Sequence, residues 1–225
     1  MLSDACSSDR PITPIHQVQG SGSVSPEVGS TVQVEGIVVG DFQHRSGDVS
    51  GLHGNLDGFA VQEQDRDRDA DRATSEGVFV VDGTASPIDL SVGDRVCVTG
   101  VVTEVDGETR IDATARGGRI ARLETDVAMP AARTVSLPAA GFVLNADGVP
   151  VADLERFESE RVEIAGAMTV TDLSDLDRYG EFTASAGGRL ISFTQANVPD
   201  PAGFVAARER DARRSLRVDD GVGAA

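Results

Sequence analysis

The 225-residue chain contains no lysine, no tryptophan and a single tyrosine; all 20 basic side chains are arginine. Aromatic residues make up only 4%, so a core must be built mainly from Val, Ile, Leu and Ala. Valine is β-branched and suits strands. No apolar run approaches the ~20 residues that a helix needs to cross a bilayer, which argues against a membrane partner. Met1 to Arg10 has neither a basic n-region nor an apolar h-region. An export signal, if the protein has one, is expected upstream of this chain or already removed. Cysteine is scarce: Cys6 lies in a polar lead-in, and Cys97 alternates with Val96 and Val98. A buried free thiol is the simpler expectation for Cys97. A Cys6–Cys97 disulfide stays open, with little warrant from so long a separation.

What is abundant is acid. The formal net charge is −17. A surface this negative repels polyphosphate at long range and disfavours non-specific nucleic-acid binding by the whole molecule. The length allows one large or two small domains.

Residues 1–30 are rich in Ser, Gly and Pro and read as an extended lead-in, with Pro11, Pro14 and Pro26 opposing a helix. The alternation in Ile15-His16-Gln17-Val18-Gln19 predicts a short edge strand. His16 has no neighbouring His or Cys in the sequence, so a surface or hydrogen-bonding role is expected of it rather than metal ligation. Thr31 to Phe42 is the first clear strand, with Gly36 and Gly40 marking a bulge or bend. The Gly-rich stretch 44–55, carrying His44 and His53, reads as a loop. Strands are expected at 58–63, 77–81, 95–105, 108–113 and 119–124, with a hairpin at Asp106-Gly107. Gly-interrupted strands this short and curved suggest a small Greek-key barrel of the OB type over 31–127, with a β-sandwich as competitor.

Residues 128–152 read as a Pro- and Ala-rich linker. A second strand set is expected over 153–225, with strands at 161–171, 179–184, 189–194 and 215–220 and an Arg-rich helix at 204–214. The two halves repeat weakly. GSTVQVEGIV at 29–38 parallels ESERVEIAGAM at 158–168, and GVFVVDG at 77–83 parallels SLRVDDG at 215–221. By that parallel the second unit is expected to be an incomplete OB-like barrel, and the chain part of a longer protein. The fold class is therefore all-β: one OB-like barrel, then a second, partial unit with one short helix.

The most distinctive local feature is the loop after the second strand. Asp65, Asp67, Asp69, Asp71 and Glu76 occupy positions 1, 3, 5, 7 and 12 of a calcium-loop spacing. Closely spaced carboxylates repel one another, and a hard cation relieves that repulsion, so Ca2+ is the expected ligand. Ala70 stands where such a loop needs Gly, and the flanks are strands. Arg66, Arg68 and Arg72 supply an alternative neutralisation, a solvated charged loop.

For nucleic acid, an OB barrel offers the face of its second and third strands. The candidates there are Phe59, with Phe42 and Phe79, and Arg95 and Arg110, with Arg116 and Arg119. Arg210, Arg213 and Arg214, beside Arg208, form a cluster on the expected helix. No Gly-x-Ser-x-Gly, phosphate loop or Cys/His zinc spacing is present, so no catalytic residue is assigned.

Several segments together carry a resemblance: TPIHQVQGSG (13–22), VEGIVVGDF (34–42), GFAVQE with its acidic loop (58–72), ATSEGVFV (73–80), LERFESERVE (154–163), VTDLSDLDRYGEFT (170–183) and RRSLRVDDG (213–221). They resemble the OB-like region of secreted bacterial endonucleases of the ExeM/NucH type. The resemblance implies an extracellular location and a C-terminal nuclease domain of the endonuclease/exonuclease/phosphatase type as partner. That domain would carry the chemistry, with metal-bound carboxylates, an Asn and a Ser-Asp-His segment. None of this chain's three His follows Ser-Asp. The expected role is a non-catalytic module that supports the nuclease domain and helps hold DNA or RNA. The alternative is a calcium-stabilised structural module; a nuclease in its own right comes last.

Overall fold

A computed structural model describes Cys6, residues 10–43, 56–84, Ser86 and residues 88–221. His44, His53 and Pro87 lie outside the described residues. The fold is all-β with a few short helices, as the valine-rich alternation predicts. The chain divides into two compact units, Met1–Arg133 with Glu155–Val162, and Thr134–Leu154 with Glu163–Ala225.

The first unit holds β1 (Thr31–Phe42), β2 (Gly58–Gln62), β3 (Gly77–Val81), β4 (Arg95–Val105), β5 (Glu108–Asp112) and β6 (Arg119–Glu124). The sheet order is β1-β2-β3-β5-β4-β6, and β1 also pairs with β4, so five strands close on themselves. β3 and β5 run parallel; β1–β2, β2–β3, β4–β5 and β1–β4 are antiparallel. The β1–β2 register slips between Val38 and Gly40, the bulge expected from the glycines. At the β4–β5 hairpin Asp106 and Gly107 both take positive φ, 54° and 83°, the backbone that a two-residue turn of this twist requires. The enclosed core is aliphatic around Val34, Val61, Val78, Val98 and Ile111, with the Phe59 ring fully buried among them.

The lead-in differs from expectation. Ile15–Gln19 is a short helix, α1, and not an edge strand. Pro14 sits at its N-cap, where a missing N–H costs nothing. Ile15 and Val18, three apart, both enter the core, which helical spacing permits and strand alternation does not. The lead-in also covers Gln33. Strand alternation would turn Gln33 outward, yet it is buried and donates to the Arg10 carbonyl at 2.8 Å. Cys97 is not a free thiol. It forms a disulfide with Cys6, with the Cα atoms 5.7 Å apart.

Residues 155–162 return to the first unit and do not extend the second. The reason is polar: Glu158 accepts the Thr109 N–H at 2.8 Å, and Glu160 accepts the Glu76 N–H at 2.8 Å. The short 3-10 turn at Glu155–Phe157 lies in this segment. Gly77 admits the crossing, because a Cβ there would lie 2.4 Å from the Ser159 carbonyl oxygen.

β7 (Arg133–Val135) and β10 (Val162–Ile164), each of which begins on the last residue of a first-unit segment, pair; within the second unit β8 (Phe142–Leu144) pairs with β9 (Pro150–Ala152). Residues 134–154 are therefore part of a folded unit and not a linker. β11 (Met168–Asp172), β12 (Phe182–Ala186) and β13 (Ser215–Val218) form an antiparallel sheet. The long strand expected at 161–171 is split, with Gly166 at φ 84° between the pieces. The expected pairing of 179–184 with 189–194 does not form. Phe193–Ala196 is a helical turn (α3, after α2 at Leu176–Tyr179), closed by a Ser192/Gln195 capping box. α4 (Pro201–Arg213) starts at Asp200, whose side chain accepts the Ala202 and Gly203 N–H groups.

Candidate functional site

The β2–β3 ladder decides which side chains meet. Gln62 pairs with Gly77, and one step further Glu63 donates its N–H to the Glu76 carbonyl at 2.9 Å. The acidic loop thus closes with Glu63 and Glu76 side by side at its base. α1 lies over that base. Its Ile15 N–H donates to Glu63 Oε1, and Gln19 Nε2 donates to the Gly77 carbonyl at 2.6 Å. His16 Nδ1 then falls 3.0 Å from Glu63 Oε2 and 3.6 Å from Glu76 Oε2. His16 Nε2 faces Asp69 Oδ2 at 4.0 Å.

Both glutamates are buried, at 3% exposure each, while His16 reaches partly to solvent. Glu76 Oε2 has no hydrogen-bond partner. Burial, followed by the close approach and charge of the Glu63 carboxyl and the charges of Asp69 and Glu160, pushes the Glu76 carboxyl up to about 8. Next to this group, Glu160 Oε1 accepts from Arg133 Nη1 at 2.7 Å, from Ser75 Oγ at 3.1 Å and from the Glu76 N–H.

The structure separates the five residues of the calcium spacing. Asp65 accepts the Ala131 N–H at 3.0 Å and faces Arg68 Nε at 3.4 Å. Asp67 faces Arg66 at 3.5 Å. Asp69 accepts the Asp71 N–H at 2.8 Å, and Asp71 accepts the Ala73 N–H at 2.9 Å. These contacts are Asx-type turns that shape the loop from within. Glu76 alone turns down to the base, with Asp69 behind His16. Among the described residues, the group that brings three ligand-type atoms within 4.8 Å of one another is His16, Glu63 and Glu76. Sequence reasoning placed neither His16 nor Glu63 in a site. The helical turn that carries His16 is too short to announce itself, and Glu63 reads as a strand end.

The nucleic-acid candidates fare differently. Phe59 is fully buried, so its ring cannot stack on a base; this corrects the expectation. The strand alternation that would expose it fails because β2 is covered on both faces. Arg95 is held by Glu35 at 2.8 Å and faces Glu124 at 3.5 Å. Arg110 pairs with Glu108 at 2.6 Å above the Phe79 ring. In the second unit Arg210 and Arg214 share Asp211, at 3.2 and 3.0 Å. Arg210 and Arg213, three apart, lie on α4, and Arg214 follows as its C-cap. Arg214 Nη1 donates to the Ala186 and Gly188 carbonyls at 2.8 and 2.9 Å.

Comparison with protein-family models and with curated proteins finds no match.

Proposed function

We propose that the chain is an accessory β-barrel module of a secreted nuclease, one that supports a catalytic domain and does no cutting itself. The observation that carries this reading is the closed strand order 1-2-3-5-4-1 with β3 parallel to β5, taken with the residue segments that resemble the ExeM/NucH type. That order agrees with an OB-type barrel. The Cys6–Cys97 disulfide supports an oxidising, extracellular setting.

Support for the module outweighs support for direct nucleic-acid binding. The ring of Phe59 is inside the barrel, and Arg95, Arg110, Arg210 and Arg214 are held by carboxylates. Phosphate would have to displace those partners on a surface already strongly negative. The test is filter binding of single-stranded DNA at low salt, with and without calcium, beside a plasmid-nicking assay. Neither retention nor nicking is expected. Salt-resistant retention would move the reading to a nucleic-acid-binding module, and nicking that survives further purification would overturn it.

A further inference from the structure

We propose that His16, Glu63 and Glu76 bind one borderline divalent cation of the zinc class, pinning α1 to the base of the β2–β3 loop. The site rests on this unit's own side chains and stands whether or not the chain belongs to a nuclease.

Three observations converge. The first is the donor set. One imidazole nitrogen and two carboxylate oxygens suit zinc, cobalt or manganese; calcium prefers oxygen alone. The second is spacing. Ligand atoms about 2.0–2.2 Å from a tetrahedral zinc lie about 3.3–3.6 Å apart. The His16 Nδ1 distances to Glu63 and Glu76, 3.0 and 3.6 Å, bracket that edge closely enough for a rotamer adjustment to close it. The third is the orphan oxygen. Glu76 is 97% buried, and its Oε2 points at His16 with no hydrogen-bond partner. A buried carboxylate oxygen left without a partner is costly, and a cation supplies what is missing.

The surroundings fit. Ligating histidines commonly present their second nitrogen to a carboxylate, and Asp69 stands behind His16 Nε2. Glu63 Oε1 is oriented by the Ile15 N–H. An open cleft of about 400 Å³, lined by Ile12, Pro14, Glu35, Glu63, Arg66 and Asp67, brings solvent to one of the three ligands, Glu63. The ligands come from a helix on one side and both ends of the acidic loop on the other. Binding therefore ties together segments 47 and 60 residues apart in sequence.

The experiment is equilibrium dialysis and calorimetry of the full chain, stripped with chelator, against Zn2+, with Co2+ as a spectroscopic probe and Ca2+ as the comparison cation. One equivalent of Zn2+ is expected, with a raised melting temperature and a visible cobalt band of tetrahedral intensity. His16→Ala and the near-isosteric Glu76→Gln should each lose that equivalent and the cobalt band. His44→Ala/His53→Ala should keep both. Circular dichroism on each variant without metal checks that it is folded, and the wild-type melting shift is read independently of any variant. Absence of uptake by wild type overturns the proposal. So does uptake that survives His16→Ala in a folded variant, or a preference for Ca2+ over Zn2+.

Discussion

Replacing Arg133 with Met should be among the most damaging single changes in the first unit. Its Nη1 contacts Glu160 Oε1 at 2.7 Å, and the Glu160 side chain has no solvent exposure. The same guanidinium donates to the carbonyls of Arg156 at 2.8 Å, Thr74 at 2.9 Å and Arg72 at 3.1 Å. It also lies 4.7 Å above the Phe157 ring. Met fills similar volume but leaves a buried carboxylate with only the Ser75 hydroxyl and the Glu76 N–H to stabilise it. Removing one member of a buried pair costs about 3–5 kcal/mol, because the remaining charge is stranded. The Coulomb attraction alone, at close range and an effective dielectric near 20, is about 4 kcal/mol, which agrees in scale. The assay is urea unfolding at neutral pH of wild type, Arg133→Met, Glu160→Gln and the double variant. The double variant should recover about 2 kcal/mol relative to the sum of the single losses, since neutralising Glu160 removes the stranded charge. A loss below about 1 kcal/mol in Arg133→Met, or additive single and double variants, would refute the reasoning.

Other expectations follow from the same geometry. The Cys6–Cys97 bridge closes 91 residues, a loop worth about 4.6 kcal/mol by chain entropy, so Cys6→Ser should lower the unfolding free energy by a comparable amount and shift the urea midpoint down; an unchanged midpoint would show that the lead-in is held without the bond. Burial, followed by the charge of Glu155, pushes the Glu158 carboxyl up to about 8 from 4.5. The folded state then keeps a proton that the unfolded chain has released, so stability falls as pH rises from about 4.5 to about 8, by no more than about 1.4 kcal/mol per unit and less after solvent screening. Glu158→Gln should lessen that slope in melts taken across the window, the remainder belonging to Glu76, which is raised over the same range; an unaltered slope would refute the assignment to Glu158. Gln43 donates to Asp82, to Ser86 Oγ at 3.1 Å and to the Ile88 carbonyl at 3.0 Å, and accepts the Leu90 N–H at 2.7 Å. Gln43→Leu should cost about 2–3 kcal/mol in the same unfolding assay, because buried partners lose their mates.

The barrel strands were legible because each carries its own signal. β1 and β4 alternate valine with polar residues, and the Asp106-Gly107 turn fixes the register between β4 and β5. What escaped depends on contacts distant in sequence. α1 is one turn long, and its helical state is set by what Ile15 and Val18 bury. The return of 155–162 is held by Glu158 and Glu160, ordinary acids in a row of acids until Thr109 and Glu76 present their N–H groups. In the second unit, Gly166 and the Ser192/Gln195 box override strand-like composition through local backbone preference.

The acidic loop shows the same division at the level of the site. Its spacing of carboxylates points to Asp65, Asp67, Asp69 and Asp71 as ligands for one ion. Alternate residues of a loop this short also sit where a side chain can accept the N–H two positions on, as Asp69 and Asp71 do. That use turns a carboxylate along the chain and away from a shared centre. The β2–β3 register works the other way: once Gln62 pairs with Gly77, Glu63 and Glu76 must stand together whatever the loop does. The two acids that the fold forces into company are buried and one step outside the strands, and the histidine that completes them comes from a segment whose helix no strand pattern encodes. In this chain the sequence signal for the His16, Glu63 and Glu76 cluster is the pair of acids that brackets the hairpin loop, and the loop's own acids lead away from it.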